Sequence, residues 1–281
     1  MGFKTNILKS TNKLFPLPTH PFNLQNEGKK TYARWQYEKG EDTIKFFLDS
    51  VNIKEMFYNK EVLDIGCGAA GKTLYYASNN AKKVYGVDVV DGYKKEANKL
   101  AEDLGLEERF EFLLEDAKEM SFDDNSFDVI IINDAMEHVD FPKEVLDECY
   151  RVLKPEGKIF LNFPPYYHPF GAHLSDVIGI PWVHLFFNDD TLIKGYKDLV
   201  KNLPDGDKRI KFRISKDNKG NEYFSYINKM TIKRFNNILP KTDFKIRYYK
   251  EVPLRNFFKP LTLIPGIKEA FVKMVVVILE K

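Results

Sequence analysis

"LDIGCGAAGKTLYY", residues 63–76, satisfies three ligand-loop patterns at once. Gly66, Gly68 and Gly71 spell G-x-G-x-x-G, the turn that lifts backbone N–H groups toward a dinucleotide pyrophosphate. Gly66 to Thr73, "GCGAAGKT", is a literal G-x-x-x-x-G-K-T triphosphate loop. Asp64, two residues before the first glycine, turns the same stretch into D-x-G-x-G-x-x-G. The three readings share a strand, a tight turn and a helix start, so the stretch fixes local structure before it fixes a ligand.

Outward from it, short β-rich runs alternate with helical periods. "EVLDI" (61–65), "KVYGV" (83–87), "FEFLL" (110–114), "FDVIII" (127–132) and "KIFLNF" (158–163) read as strands. Tyr93, Ala97, Leu100, Ala101 and Leu104 form one apolar helical stripe, and Val145, Leu146, Cys149, Val152 and Leu153 form another. Ahead of the glycines, Ile44, Phe47, Leu48 and Val51 predict a helix over 41–54. Strands separated by helices imply parallel βαβ units and an α/β, doubly wound, Rossmann-like sheet. Ligands gather at the carboxyl ends of such strands.

The rhythm breaks after Phe163 for about sixty residues, too long for a plain connection in a compact α/β domain. This insertion holds "FPPYYHPFGAH", the apolar run "VIGIPWVHLFF", a helix through Leu192, Tyr196, Leu199, Val200 and Leu203, and a hairpin-like "DNKGNEY". A helix (Met230 to Leu239) and two strands, "FKIRYY" (244–249) and "FVKMVVVILE" (271–280), then resume the core. The expected parsing is an N-terminal arm and the start of capping helices over 1–40, a core of 41–163 and 229–281, and an inserted substrate lid over 164–228. Pro16, Pro18 and Pro21 make residues 1–28 read as irregular.

The acid decides between ligands. Sites that bind an anion on backbone N–H groups keep carboxylates away from it, whereas a sulfonium and an ammonium gain from one. Asp64 therefore favours S-adenosylmethionine over a triphosphate, and Asn133 stands where a magnesium-binding acid would end the fourth strand. Asp88, closing the second strand, suits a ribose in either a nicotinamide or an S-adenosylmethionine site and does not discriminate.

The later segments do. "LLEDAKEM", "FDVIIINDAMEHV" and "VLKPEGKIFL" follow in the order and spacing of class I S-adenosylmethionine-dependent methyltransferases, and residues 41–163 and 229–281 resemble the small-molecule, quinone-biosynthesis-like branch. The resemblance implies a seven-stranded, mostly parallel sheet with an antiparallel last strand. It implies that Asp64, Gly66 and Gly68 frame the methionine end, with Cys67 between them, and that Asp88 and Val89 meet the ribose side. Asp116 would face the adenine amino group, Ala117 the ring edge, and Asn133 the methyl-donor end. "DAMEH" (134–138) is similar to a divalent-metal run in some relatives, so Asp134, Glu137 and His138 have a metal reading, set against a helix start carrying two acids near its positive end. No metal is expected.

Bulk properties bound the acceptor. Lys plus Arg is 43 against Asp plus Glu at 41, so no global field recruits nucleic acid. Residues 1–30 hold five Lys and one acid, and residues 241–281 nine basic and four acidic residues. Two cysteines without metal-ligand spacing fit a reducing cytoplasm. No apolar run is long enough to span a bilayer. The insertion's Tyr166, Tyr167, Phe170, Trp182, Phe186 and Phe187 suit an apolar, aromatic or lipid-like small molecule, though such residues more often form a segment's own core. "PLRNFFKPLTLIPGIK" (253–268) mixes basic and apolar residues, as a pocket cover or a peripheral membrane contact would. Among histidines, His173 follows two small residues and is the first candidate for a base toward a hydroxyl acceptor, ahead of His168 and His138. A nicotinamide oxidoreductase, a non-catalytic S-adenosylmethionine binder and a nucleic-acid methyltransferase are the competing functions.

Overall fold

The computed structural model describes residues 2–281. The chain divides into two compact units. Residues 30–163, 232–252 and 274–281 form a sheet unit; residues 1–29, 164–231 and 253–273 form an insertion unit.

In chain order the strands are β1 (Glu61–Ile65), β2 (Lys83–Asp88), β3 (Phe110–Leu114), β4 (Phe127–Asn133), β5 (Leu153–Phe163), β6 (Ile214–Lys216), β7 (Glu222–Phe224), β8 (Lys245–Pro253) and β9 (Val272–Glu280). The first six helices are α1 (Phe3–Asn12), α2 (Pro21–Asn26), α3 (Tyr32–Glu38), α4 (Gly40–Ile44), α5 (Ile53–Phe57) and α6 (Gly71–Ser78). They are followed by α7 (Lys94–Leu104), α8 (Pro142–Val152), α9 (Val183–Phe186), α10 (Asp189–Val200), α11 (Gly206–Arg213) and α12 (Ile232–Ile238).

Among the described residues the sheet unit carries seven strands in the order β3-β2-β1-β4-β5-β9-β8. The pairs β1–β2, β1–β4, β2–β3 and β4–β5 are parallel, and β9 lies antiparallel to β5 with Leu161 opposite Val277. Strands buried on both faces need continuous apolar runs rather than alternation, and "FDVIII" and "MVVVIL" supply them. The strand order reverses direction between β1 and β4, which places the carboxyl ends of these two strands at the crevice, with that of β2 next to β1.

Three local expectations are corrected within this unit. The helix expected over 41–54 breaks: α4 stops at Ile44, Phe47 and Leu48 donate three residues back in successive turns, and α5 starts afresh from a capping box of Asn52 and Glu55. The apolar spacing was real, since Ile44 and Phe47 are fully buried in the cluster that includes Phe160 and Val276, but burial needs the side chains on one face, not α-helical hydrogen bonds. The fifth strand, expected over 158–163, begins at Leu153 and takes in Pro155, Glu156 and Gly157 as a register shift between the Phe127 and Val129 pairings, with Glu156 at φ 64°; an irregularity of this kind takes up extra residues without ending the strand. Residues 134–138 form turns and not a helix start, with Asp134 at φ 52°, and the next helix begins at Pro142.

The insertion unit builds its own core from Leu8, Leu174, Ile178, Leu192, Ile193, Tyr196, Val200 and Phe224. Residues 1–28, expected to be irregular, instead form α1 and α2. Pro21 is the first residue of α2 rather than its breaker, because a helix's first N–H needs no partner; His20 Nδ1 caps it by accepting from Phe22 N at 3.3 Å. Asn12 ties α1 down through Nδ2 to the Val177 carbonyl at 2.7 Å and Oδ1 from Gly179 N at 2.8 Å. The "DNKGNEY" stretch is the tip of the β6–β7 hairpin, where Asp217 Oδ1 accepts from Lys219 N and Asn221 N, each at 2.8 Å. The expected lid ended at 228 and the expected arm at 40; residues 30–40 group instead with the sheet, and 253–273 with the insertion.

Candidate cofactor site

The glycine loop sits at the carboxyl end of β1. Gly66 and Gly68 take φ 69° and 57°, a region that side chains rarely occupy. A side chain on Gly66 would also lie 2.6 Å from Ala135 Cβ. Gly66 N and Cys67 N donate to the Val87 carbonyl at 2.9 and 3.2 Å, which locks the turn against β2.

Asp88 holds the loop from its other side. Its Oδ2 accepts from Gly68 N at 2.8 Å and its Oδ1 from Val90 N at 2.9 Å. Burial raises its pKa, while the bonds from Val90, Gly68 and Val89 oppose the rise. Each oxygen keeps a further lone pair, so the carboxylate has capacity for two ligand hydroxyls. Val89 beside it is 68% exposed, an apolar surface at the mouth of the strand end.

Asp64 is buried beneath the loop and accepts from Thr73 Oγ1 at 2.6 Å. Burial pushes its pKa up to about 7, against the Thr73 bond and nearby Lys72, with Asp88 adding to the rise. Cys67 is held in the loop through its backbone N–H to the Val87 carbonyl. Its side chain is buried against β2, where a Cβ on Gly86 would lie 2.9 Å from Sγ, and burial raises the thiol well above its ordinary range.

Asp116 and Ala117 lie past β3. Asp116 is exposed, accepts from Lys118 N at 3.1 Å and pairs with Lys118 Nζ at 3.1 Å. Asn133 ends β4 and is buried; the amide orientation that satisfies its neighbours puts its oxygen 2.9 Å from Lys72 Nζ and its nitrogen 2.8 Å from Asn162 Oδ1.

Four residues beyond those expected complete the floor and wall. Lys72 Nζ pairs with Asp134 Oδ2 at 3.0 Å. Gln36 Oε1 accepts from Gly71 N at 3.3 Å, and the Tyr32 hydroxyl comes within 3.6 Å of where a Gly68 side chain would start. Thr73, as noted, holds Asp64. Lys72 and Thr73 were visible in sequence only as letters of the triphosphate pattern. Gln36 and Tyr32 had no signal, since α3 reaches the loop through a contact that needs Gly71: a Cβ there would fall 2.0 Å from the Ala33 carbonyl.

Three groups that the triphosphate pattern would offer an anion are already engaged. Gly71 N–H goes to Gln36, Lys72 to Asp134 and Asn133, and Thr73 to Asp64. Two carboxyls, one of them fully buried, line the remaining space. That donor and acceptor set fits a ligand with positive charge and vicinal hydroxyls, and it does not fit a triphosphate.

The candidate bases are drawn from both units. His138 belongs to the sheet unit, with Nε2 3.7 Å from Oε1 of buried Glu137, whose carboxyl is held well above its ordinary range by burial and by Asp134. His168 and His173 belong to the insertion unit. His168 Nδ1 accepts from Phe170 N at 3.1 Å. His173 takes φ 53°, gives its carbonyl to Arg213 Nη1 at 2.5 Å, and meets Tyr226 ring edge to face at 6.2 Å. The small residues before it leave no vacancy, which corrects the reason given for choosing it: a Cβ on Gly171 would lie 1.8 Å from the Tyr166 carbonyl, and Ala172 is buried in the unit's core.

Residues 63–161 match the family model described as a methyltransferase domain. Phosphoethanolamine N-methyltransferase 3 of Arabidopsis thaliana is 33% identical over 44% of this chain and 24% of its own length. The chloroplastic tocopherol O-methyltransferase of the same plant is 31% identical over 36% of this chain and 29% of its own. The match thus spans about a quarter of the length of these curated relatives. Among solved structures, an S-adenosylmethionine-dependent methyltransferase from Mesorhizobium loti superposes with a TM-score of 0.52 at 13% identity, over 86% of this chain and 98% of that one. The chain carries a class I methyltransferase domain of the S-adenosylmethionine-dependent kind, and S-adenosylmethionine is the cofactor of that class. Among the described residues no helix is long and apolar enough to cross a membrane.

Proposed function

We propose that the chain is a methyltransferase that uses S-adenosylmethionine to methylate a small apolar, aromatic or lipid-like acceptor. The observation that carries this is the glycine loop in which Gly68 N–H, Gly71 N–H, Lys72 and Thr73 are engaged internally, with Asp88 and Asp64 holding two of them. When bound, the cofactor supplies a methyl group already activated on a sulfonium. The chain's own part is alignment and exclusion of water, the main sources of acceleration for an in-line displacement. In this reading Asp64 with Gly66, Cys67 and Gly68 holds the methionine end through one carboxyl and the loop backbone. Asp88 and Val89 hold the ribose side, Asp116 and Ala117 the adenine, and Asn133 the methyl-donor end.

The acceptor class rests on the insertion's apolar and aromatic content and on the relative named for tocopherol, whereas the relative named for phosphoethanolamine acts on a small charged molecule. Those two names place the methyl on oxygen in one case and nitrogen in the other, so likeness in the sheet region does not carry the acceptor atom. If it is a hydroxyl, a base must take its proton as the methyl arrives. His173 is that base in this proposal, with His168 and His138 as the alternatives; replacing the base by Ala lowers turnover by about 10²–10⁴ at unchanged donor affinity.

Calorimetric titration with S-adenosylmethionine, S-adenosylhomocysteine, NAD and ATP tests the ligand, and mass spectrometry of a native extract incubated with enzyme and isotope-labelled donor tests the transfer. The expected result is binding of the first two alone and a labelled small molecule. Tighter binding of ATP or NAD than of S-adenosylhomocysteine overturns the proposal. Donor binding with no labelled product in any extract leaves a non-catalytic binder, and labelled nucleic acid a different acceptor class.

A further inference from the structure

Residues 253–268 of the insertion unit hold six basic or large apolar groups that the unit leaves in water. The segment is closed at its base, where Leu254 N donates to the Phe271 carbonyl at 2.8 Å. Below that closure lies an aromatic root: Phe258 packs on Phe271 at 5.1 Å, Trp182 meets Phe271 at 6.2 Å, and Trp182 Nε1 donates to the Ala270 carbonyl at 3.1 Å. The rest turns outward in short 3-10 turns through Asn256–Leu263. Phe257 is 70% and Leu263 77% exposed, and Ile264 and Ile267 are about half exposed.

Exposed single hydrophobics are ordinary, but four within eleven residues, on a loop with its own anchored base, are not explained by folding. Their charge setting narrows the partner. Arg255 and Lys259 are exposed among them, Lys268 closes the run, and no acid occurs from 253 through 268. Burying such a tip in a protein groove would strand the basic groups unless acids met them. A bilayer surface takes both parts at once, with apolar side chains entering the acyl boundary and Lys or Arg heads staying at anionic headgroups. The same unit exposes Phe186, 74% accessible, one turn beyond the Trp182 that anchors the root.

We infer that residues 255–267 are a membrane-surface anchor, inserting Phe257, Leu263, Ile264 and Ile267 into an anionic lipid surface with Arg255 and Lys259 at the headgroups. Its test needs no turnover and stands whether or not the proposed methyl transfer does. The full chain is floated with vesicles of phosphatidylcholine alone and of phosphatidylcholine with phosphatidylglycerol. Binding is expected on the anionic vesicles, weakened by salt and weakened about fivefold for each of Arg255→Gln and Lys259→Gln. Phe257→Asp with Leu263→Asp should abolish it, while circular dichroism and donor binding of that variant match the parent. Light scattering of the lipid-free chain supplies the other arm. No binding to either vesicle, or equal binding by the double Asp variant, overturns the inference. So does a parent dimer that the double Asp variant turns into a monomer without any vesicle binding, since the patch would then cover a second copy.

Discussion

The sheet unit and the insertion unit both bury ionisable groups, and they treat them in opposite ways. In the insertion unit the carboxylate of Asp176, fully buried, accepts from Arg209 Nη1 at 3.0 Å, Arg213 Nη2 at 3.2 Å and the Tyr196 hydroxyl at 2.9 Å. Arg209 also reaches Asn23 at 3.0 Å and Asp205 at 2.9 Å, so charge is matched within a closed network that ties α2 to α10 and α11. At the mouth of the sheet unit, Asp64 is paired only with a hydroxyl and its proton is held up to about pH 7. One unit spends its buried charge on itself; the other leaves a carboxyl under a loop of N–H groups where charge from outside would complete it. Structure and ligand binding therefore predict different consequences for similar-looking substitutions.

The largest effect belongs to the closed network. Asp176→Ala leaves two buried guanidinium groups without their shared acceptor, and breaking a buried pair from one side costs about 3–5 kcal/mol. Denaturant unfolding should lose that much, with S-adenosylhomocysteine affinity unchanged at low denaturant. A parallel loss of cofactor affinity would break the contrast, because it would make the network part of the binding machinery. Burial lowers His20, beside this network, to about pKa 4, with Asp176 favouring protonation and Arg213 and Arg209 opposing it, so this histidine is neutral at pH 7 in the folded chain.

Second comes Asp88→Ala, which removes the acceptor of Gly68 N and Val90 N together with the proposed ribose contact. The expected loss is about 1.5–3 kcal/mol in S-adenosylhomocysteine affinity by calorimetry, and global unfolding should shift less than it does in Asp176→Ala. An affinity within twofold of the parent would remove Asp88 from the site.

How far the sequence reached differs between the units for the same reason. β4 and β9 were readable as the continuous apolar runs of strands buried on both faces, the other sheet strands, β8 among them though none of its residues is buried, from short β-rich runs, and the glycine loop because its backbone angles exclude other residues. Asp64 and Asp88 were readable because they sit at fixed steps from those landmarks. Gln36 and Tyr32 were not, since their place depends on α3 meeting α6 at Gly71, a contact that spans 35 residues from Gln36. In the insertion unit nothing marked Asp176, Arg209 and Arg213 as partners: surface charges and buried charges look alike in sequence until their mates are known. α2 was hidden by Pro21, which reads as a breaker and serves as the helix's first residue, and α1 ends before the first of the prolines.

Third is a pH dependence. Asp64 keeps its proton in the native state up to about pH 7, whereas an unfolded chain releases it near pH 4. The native state thus binds more protons between those values. Its contribution to stability is fully present below about pH 4 and is lost as pH rises to about 7, levelling above. Cationic groups of the cofactor favour the carboxylate, so binding should expel that proton. S-adenosylmethionine affinity should rise about tenfold from pH 6 to pH 8, for a one-proton coupling, and Asp64→Asn should flatten the curve. A curve unchanged in Asp64→Asn would assign the coupling elsewhere.

The smallest effect sharpens the contrast from inside the loop itself. Cys67 lies between two ligand-facing glycines, yet its Sγ is turned away from the mouth and packed on Gly86 of β2. If only its backbone meets the cofactor, Cys67→Ala should leave S-adenosylhomocysteine affinity within about twofold and cost about 1 kcal/mol of stability for the small void left behind. Gly86→Ala should cost about 1–3 kcal/mol alone, because its new Cβ falls 2.9 Å from Sγ. Placed together, the two substitutions exchange one small group for another across the same contact, so the double variant should be more stable than the sum of the singles predicts. Strict additivity would mean that Sγ and Gly86 do not share the space. A tenfold loss of affinity in Cys67→Ala would mean that the thiol faces the ligand after all.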